Sequence, residues 1–289
     1  MPAFFASEGM PLWNDVRTYD LDRSAEFYHG LFGWDIECGG AGREGVQEEV
    51  GGYYYARKHG MPIAGFIPVT AESHGDGGDC AVLPPNQWMV SFLTDDVHAV
   101  ASRSRDYGGT AGRPVDGPRG PMVAATDIVG ADLGFIHPVV EPFIAGGEPG
   151  TPVWHELAAV LPEGVGIDDV ARYYAEVVRW TTMRHGDGVE TVITAVSEGG
   201  AYAGIWFPDE RAATESVMLS SRWSTYFGVE NVVGAAEYAL AQGGDVIVQP
   251  QEAEFGRIAI LSDPTGALVT VCEAPDLVVE PHEGDNVFG

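Results

Sequence analysis

Two apolar spacings alternate along this chain. Short runs dense in β-branched and aromatic residues, such as "WNDVRT" from Trp13 and "QWMVSFL" from Gln87, carry a period of two and predict strands. Each is followed by a stretch in which apolar residues recur at helical spacing, as at Ala25, Tyr28, Leu31 and Phe32. Asp22, Asp96, Asp168 or Asp169, and Asn231 stand where these helices need N-caps, and Gly108-Gly109 and Gly243-Gly244 close two of them. Further apolar runs, broken by Gly, Pro, Asp and Asn, then suit antiparallel strands joined by tight turns. The predicted unit is β-α-β-β-β.

The unit occurs four times, in two pairs. "AEFYHGLFGW" (Ala25 to Trp34) and "ARYYAEVVRW" (Ala171 to Trp180) share Ala, an aromatic followed by Tyr, and a closing Trp at identical spacing. Upstream, Trp13 matches Trp154; downstream, "PIAGFIP" resembles "AYAGIWFP". The second pair lays "QWMVSFLTDDVHAVASRSRDYGG" over "RWSTYFGVENVVGAAEYALAQGG", and "GPMVAATDIVGA" over "GRIAILSDPTGA". Gly and Pro cluster between them at "EPFIAGGEPGTP", Glu141 to Pro152, which divides the chain into residues 1–145 and 146–289, each holding two modules.

Charge narrows the choice of partner. Fifteen Lys and Arg against forty-three Asp and Glu leave a net charge of −28, which repels nucleic acid and anionic membrane surfaces alike. No apolar run reaches the ~20 residues of a membrane-spanning helix. Cys38, Cys80 and Cys272 are far apart and form no C-x-x-C, so neither a disulfide scaffold nor a thiolate zinc site is indicated. The start, "MPAFFASEGMPLW", lacks the charged and apolar regions of a signal peptide, and the expected location is cytoplasmic. The acidic end, "EAPDLVVEPHEGDNVFG", is expected to be a loosely packed, solubilising tail.

Four such modules, with "FY…LFGW" after a first strand and "SDPTGA" before a last one, resemble the vicinal oxygen chelate superfamily, which includes glyoxalase I, extradiol dioxygenases and bleomycin-resistance proteins. The likeness runs from Pro11 to Ala274 and is to tandem fused members. It implies an α+β fold in which the four βαβββ modules form two glyoxalase-like incomplete β-barrels. It also implies a divalent metal held by His or Gln and Glu. The positions that would supply those ligands are Trp13, Met89 and Gly134 in the first half, and Trp154, Ser224 and Thr270 in the second. None suits a metal, so no metal site and no cofactor are expected. His155 is next to Trp154 and is read as facing away from the cavity. Nucleotide-binding glycine loops and serine nucleophile elbows are absent from the sequence.

Strand alternation places Trp13, Asp15 and Arg17 on one face, and Trp154 and Glu156 on another, the faces that the resemblance turns into the cavities. An apolar wall raises a carboxyl pKa, so Asp15 and Glu156 are the candidate acid–base catalysts. The competing reading makes each acid a structural partner, with Arg17 either its counter-ion or an anion clamp. Trp13, Trp88, Trp154 and Trp223 are read as packing or cavity lining, Tyr53 and Tyr55 as strand aromatics able to line a pocket, and Arg257 as a strand-end cation within reach of a ligand. The expected protein binds a bulky, partly aromatic small molecule of specialised metabolism and acts on it without a metal, by cyclisation, isomerisation, elimination or epoxide opening. The alternatives are sequestration of an antibiotic-like molecule and, if ligands come from other strands, a metal-dependent lyase or dioxygenase. Monomer and homodimer both remain open.

Overall fold

Each module starts with a strand that ends up in the middle of a sheet. The computed structural model describes residues 3–39, 52–69, 86–186, 191–197, 200–208, 220–253 and 256–273; Cys80 and the acidic end lie outside these. Strand β1 (Ala3–Phe5) precedes a first module of β2 (Pro11–Thr18), helix α1 (Leu21–Phe32), β3 (Asp35–Cys38), β4 (Tyr54–Lys58) and β5 (Met61–Pro68). The second comprises β6 (Gln87–Leu93), α2 (Val97–Asp106), β7 (Thr110–Ala111), β8 (Val115–Gly117), β9 (Gly120–Thr126) and β10 (Asp132–Ile136). Strand β11 (Phe143–Ala145) falls inside the Gly- and Pro-rich junction and pairs with β1. The third module has β12 (Pro152–Ala158), α3 (Ile167–Tyr173) continuing as a π turn over Tyr174–Val178, β13 (Thr181–His185), β14 (Val192–Ser197) and β15 (Gly200–Trp206). The fourth has β16 (Arg222–Val229), α4 (Val232–Ala241), β17 (Asp245–Ala253), β18 (Gly256–Ser262) and β19 (Leu268–Glu273).

Consecutive modules share a sheet. The first sheet runs β3-β4-β5-β2-β6-β10-β9-β7, with β8 also on β9, and the second repeats that order as β13-β14-β15-β12-β16-β19-β18-β17. In both, the two opening strands pair antiparallel at the centre, and each lies parallel to the last strand of its own module. A parallel neighbour needs a crossover, which the intervening helix and strands supply. The edge strands of a sheet do not meet, so both sheets stay open, as the α+β incomplete-barrel expectation requires.

Two helix starts differ from the sequence expectation. Helix α1 is capped by Asp20, whose carboxylate accepts from the Arg23 amide, and Asp22 lies inside the first turn. Strand β2 ends at Thr18 and the chain already bends at Tyr19, so the helix starts at Leu21 and Asp20 takes the cap position. Helix α3 begins after Gly166, and Asp169 reaches back to the Gly166 amide as the third helical residue. Asp96 and Asn231 cap α2 and α4 as expected.

The cores do not follow the sheets. One buried cluster joins Phe27, Tyr28 and Trp34 of the first module to Phe227, Val232 and Leu261 of the fourth. The other joins Phe92, Val100 and Leu133 of the second to Tyr174, Trp180 and Ile193 of the third. The repeated aromatics tie the halves together. Trp34 donates its indole N–H to the Gly150 carbonyl at 2.7 Å, and Trp180 donates to the Gly9 carbonyl, also at 2.7 Å. Trp88 donates to the Tyr28 hydroxyl at 2.9 Å, which in turn hydrogen-bonds Asp263, while Trp223 donates to Tyr174 at 3.0 Å, which donates to Asp127 at 2.5 Å. The two copies thus form a pseudo-twofold set of bonds, each copy anchored in the opposite half.

Candidate active site

Strand β2 presents alternate residues to the two sides of its sheet. Val16 packs into the shared core, and Asn14 accepts from Thr225 at 2.6 Å across the halves, with His155 3.5 Å from its amide nitrogen. His155 therefore faces away from the Trp154 side, where burial pushes its pKa down to about 3 and keeps the ring neutral. The opposite face of β2 carries Trp13 and Asp15.

Asp15 is 3% exposed. Its Oδ1 accepts from the Tyr53 hydroxyl at 2.6 Å and from Trp13 Nε1 at 3.0 Å, and the same indole N–H reaches the Tyr53 oxygen at 2.6 Å. Tyr53 comes from the residue just ahead of β4, two strands away in the sheet. It reaches Asp15 across Gly65 of β5, where any Cβ would overlap both the phenol oxygen and the carboxylate. Burial raises the Asp15 pKa above the ordinary carboxylate value, opposed by the Tyr53 and Trp13 hydrogen bonds and by the positive charge of Arg119. Burial and the adjacent carboxylate push the Tyr53 phenol well up, so it remains a donor.

Arg119 was not singled out from the sequence. It sits in the tight turn from β8 to β9, where its guanidinium lies 3.8 Å from the centre of the Trp13 ring, and its buried Nε makes no hydrogen bond among the described residues. A cation over an indole face is favourable by about 0.5–2 kcal/mol and leaves the guanidinium edge for an anion. Tyr55 adds an edge-on ring 6.0 Å from Trp13, and Ser91, opposite Trp13 in register, keeps a buried hydroxyl with no partner among the described residues. The signal for Arg119 was present as "GPRG", an arginine between glycines just before the strand that the second half opens with Gly256.

The second half repeats the chemistry with different strands. Tyr226 of β16 donates to Glu156 Oε2 at 2.6 Å, and the Arg222 guanidinium stands near that phenol. Trp154 lies over Gly204, opposite Glu156 in the parallel pairing with β15. Trp88 and Trp223 spend their N–H groups on the shared cores, and both residues also line a cavity of about 390 Å³ between the halves. Arg17 is half-buried on the Asp15 face of β2, although the cation that acts on Asp15 is Arg119. Arg257 stands apart, paired with Glu252 at 2.9 Å on an exposed hairpin.

The superfamily's metal does not fit here. Trp13, Met89 and Gly134 offer no imidazole or carboxylate, nor do Trp154, Ser224 and Thr270, and among the described residues no three His, Cys, Asp or Glu side chains converge. Among the same residues, no helix is long and apolar enough to cross a membrane.

No protein-family profile matches the chain. It is 29% identical over 272 residues to CFP32 of Mycobacterium tuberculosis, whose name assigns it provisionally to the glyoxylases, covering 91% of this chain and 94% of that one. It is 28% identical over 281 residues to the anthracycline biosynthesis protein DnrV of Streptomyces peucetius, covering 92% and 93%. Among solved structures, the 2,3-dioxygenase LapB of Pseudomonas sp. KL28 superposes with a TM-score of 0.55 at 16% identity over 93% of both chains. The Mn(II)-bound glyoxalase of Novosphingobium aromaticivorans gives 0.54 at 12% identity, over 92% of this chain and 82% of that one. At such identities these two structures speak for the fold alone.

Proposed function

We propose that the chain is a tandem member of the vicinal oxygen chelate superfamily, as its likeness to CFP32 and DnrV supports, and that it is an acid–base enzyme that works without a metal on a polycyclic aromatic metabolite. Asp15 removes or returns a proton next to a carbonyl, the step common to cyclisation, isomerisation, elimination and epoxide opening by an enolate. Tyr53 and Trp13 hold the carboxylate through one oxygen. The guanidinium of Arg119, fixed on the indole face, receives the negative charge that develops on the substrate oxygen. The observation that carries this reading is the buried Asp15 with two donors on a single oxygen and, beside it, the Arg119 guanidinium, whose buried Nε has no hydrogen-bond partner among the described residues. A desolvated carboxylate is a stronger base than one in water, and pre-set donors fix its orientation.

The names of two relatives in anthracycline biosynthesis support a polycyclic aromatic substrate. The test is turnover of a panel of polycyclic aromatic ketones. Asp15→Asn is expected to lower kcat by about 10²–10⁴ with KM unchanged, the range for a lost general base. Tyr53→Phe removes a bond to the ionised carboxylate, so the acidic limb of the kcat profile moves to higher pH. Sequestration is the second reading, favoured by the Trp13, Tyr53 and Tyr55 rings gathered at one place. Ligand binding with no product in wild type and Asp15→Asn alike would establish it instead.

A further inference from the structure

The cavity of about 390 Å³ between the halves is separate from the Asp15 site, and its walls come from both pairs of modules. Asn86, Gln87 and Asp132 line one side, and Arg222, Ser224 and Thr270 the other. Arg222 is half-buried, its Nε is sealed from solvent, and it makes neither a hydrogen bond nor an ion pair among the described residues. In a chain with forty-three acidic and fifteen basic residues, a partly desolvated guanidinium left without an anion calls for one from outside. Ser224 and Thr270 line the same wall of the cavity. Across the cavity Asp132 accepts from Thr126 at 3.0 Å, so a ligand has to meet it with a hydroxyl rather than a second acid. Trp88 and Trp223 complete the walls.

We propose that this inter-half cavity is a second binding site, for a hydroxylated aromatic carboxylic acid whose carboxylate lies on Arg222 and whose hydroxyl faces Asp132. A planar carboxylate matches the two-pronged guanidinium, and the Ser224 and Thr270 hydroxyls supply further donors. The site does not depend on Asp15 acting as a base, and the two ideas fail separately.

The experiment is calorimetric titration of the full chain with 4,5-dihydroxyanthraquinone-2-carboxylate and, separately, with its methyl ester. Wild type is expected to prefer the acid by at least ~10-fold, as a charge-assisted pair requires. Arg222→Gln removes that preference while leaving ester binding as it was, and Arg222→Lys restores part of it. Thr270→Val weakens the acid about 3-fold without touching the ester, a second reading if Arg222→Gln does not fold. Asp15→Asn leaves acid binding intact. Equal binding of acid and ester by wild type, no binding of the acid at millimolar concentration, an unaltered preference in a folded Arg222→Gln, or loss of acid binding in Asp15→Asn would each overturn the proposal.

Discussion

At Asp15, a few neighbours decide the chemistry. Gly65→Ala leaves every proposed functional side chain in place by identity but puts a methyl where the Tyr53 and Asp15 oxygens meet. Its turnover is expected to fall with that of Tyr53→Phe, while melting stays within several degrees of wild type. A second titrating group lies in the shared core, where burial lifts the Asp127 carboxyl to about 6 against the bonds from Tyr174 and two backbone amides. The folded state thus keeps a proton that the unfolded chain loses near pH 4. Asp127 contributes most below about pH 4, and that contribution declines as pH rises through about 6. The stability gap between wild type and Asp127→Asn should narrow across that window, by at most ~3 kcal/mol, in denaturant melts from pH 4 to 7. Legibility at this scale was uneven. Trp13 and Asp15 share a strand face by parity alone, so the sequence was enough. Tyr53 was named but not its bond, because strand β5 intervenes, and Arg119 arrives from another module altogether.

The repeated helix and its Trp are where element-scale reasoning went furthest and still missed the purpose. Spacing located the helices, and the shared Trp34 and Trp180 marked the duplication, yet nothing in the pattern tells that each indole binds a carbonyl 116 or 171 positions away. Gly30, unfavourable inside a helix, is explained by the Tyr238 hydroxyl of α4, which occupies the space that a Cβ would need. The copies also differ at their ends. Gly33 closes α1 in the left-handed region at φ 71°, whereas Arg179 takes the same conformation at φ 69° after the π turn. A side chain there is strained, so Arg179→Gly is expected to stabilise the protein by about 0.5–1 kcal/mol in a denaturant melt. Trp34→Phe leaves the Gly150 carbonyl buried without its donor, and should cost about 1–3 kcal/mol.

For the whole molecule, the four modules and the α+β class were legible because apolar periodicity and the duplication are local properties. Two features were not. Whether consecutive modules share a sheet is decided by strand pairing between distant segments, and the cores cross from one half to the other, first module with fourth and second with third. Residues 1–145 or 146–289 expressed alone therefore leave half of each core bare. Each is expected to show poor amide dispersion by NMR, with a native-like spectrum returning when the two are mixed. The same architecture places Asp15 and Glu156 on sheet faces turned away from the shared cores, so those sites are free to diverge without unsettling the fold.

Proton transfer by Asp15 without a metal is tested most directly by deuterium uptake. Anthrone bound to the full chain in D₂O, after exhaustive treatment with EDTA, is followed by mass spectrometry at its acidic carbon. Exchange well above the buffer background is predicted, unaffected by the chelator and at least ~100-fold slower in Asp15→Asn at equal occupancy. Exchange that persists in Asp15→Asn, or that disappears with EDTA and returns with added Mn²⁺, would contradict it.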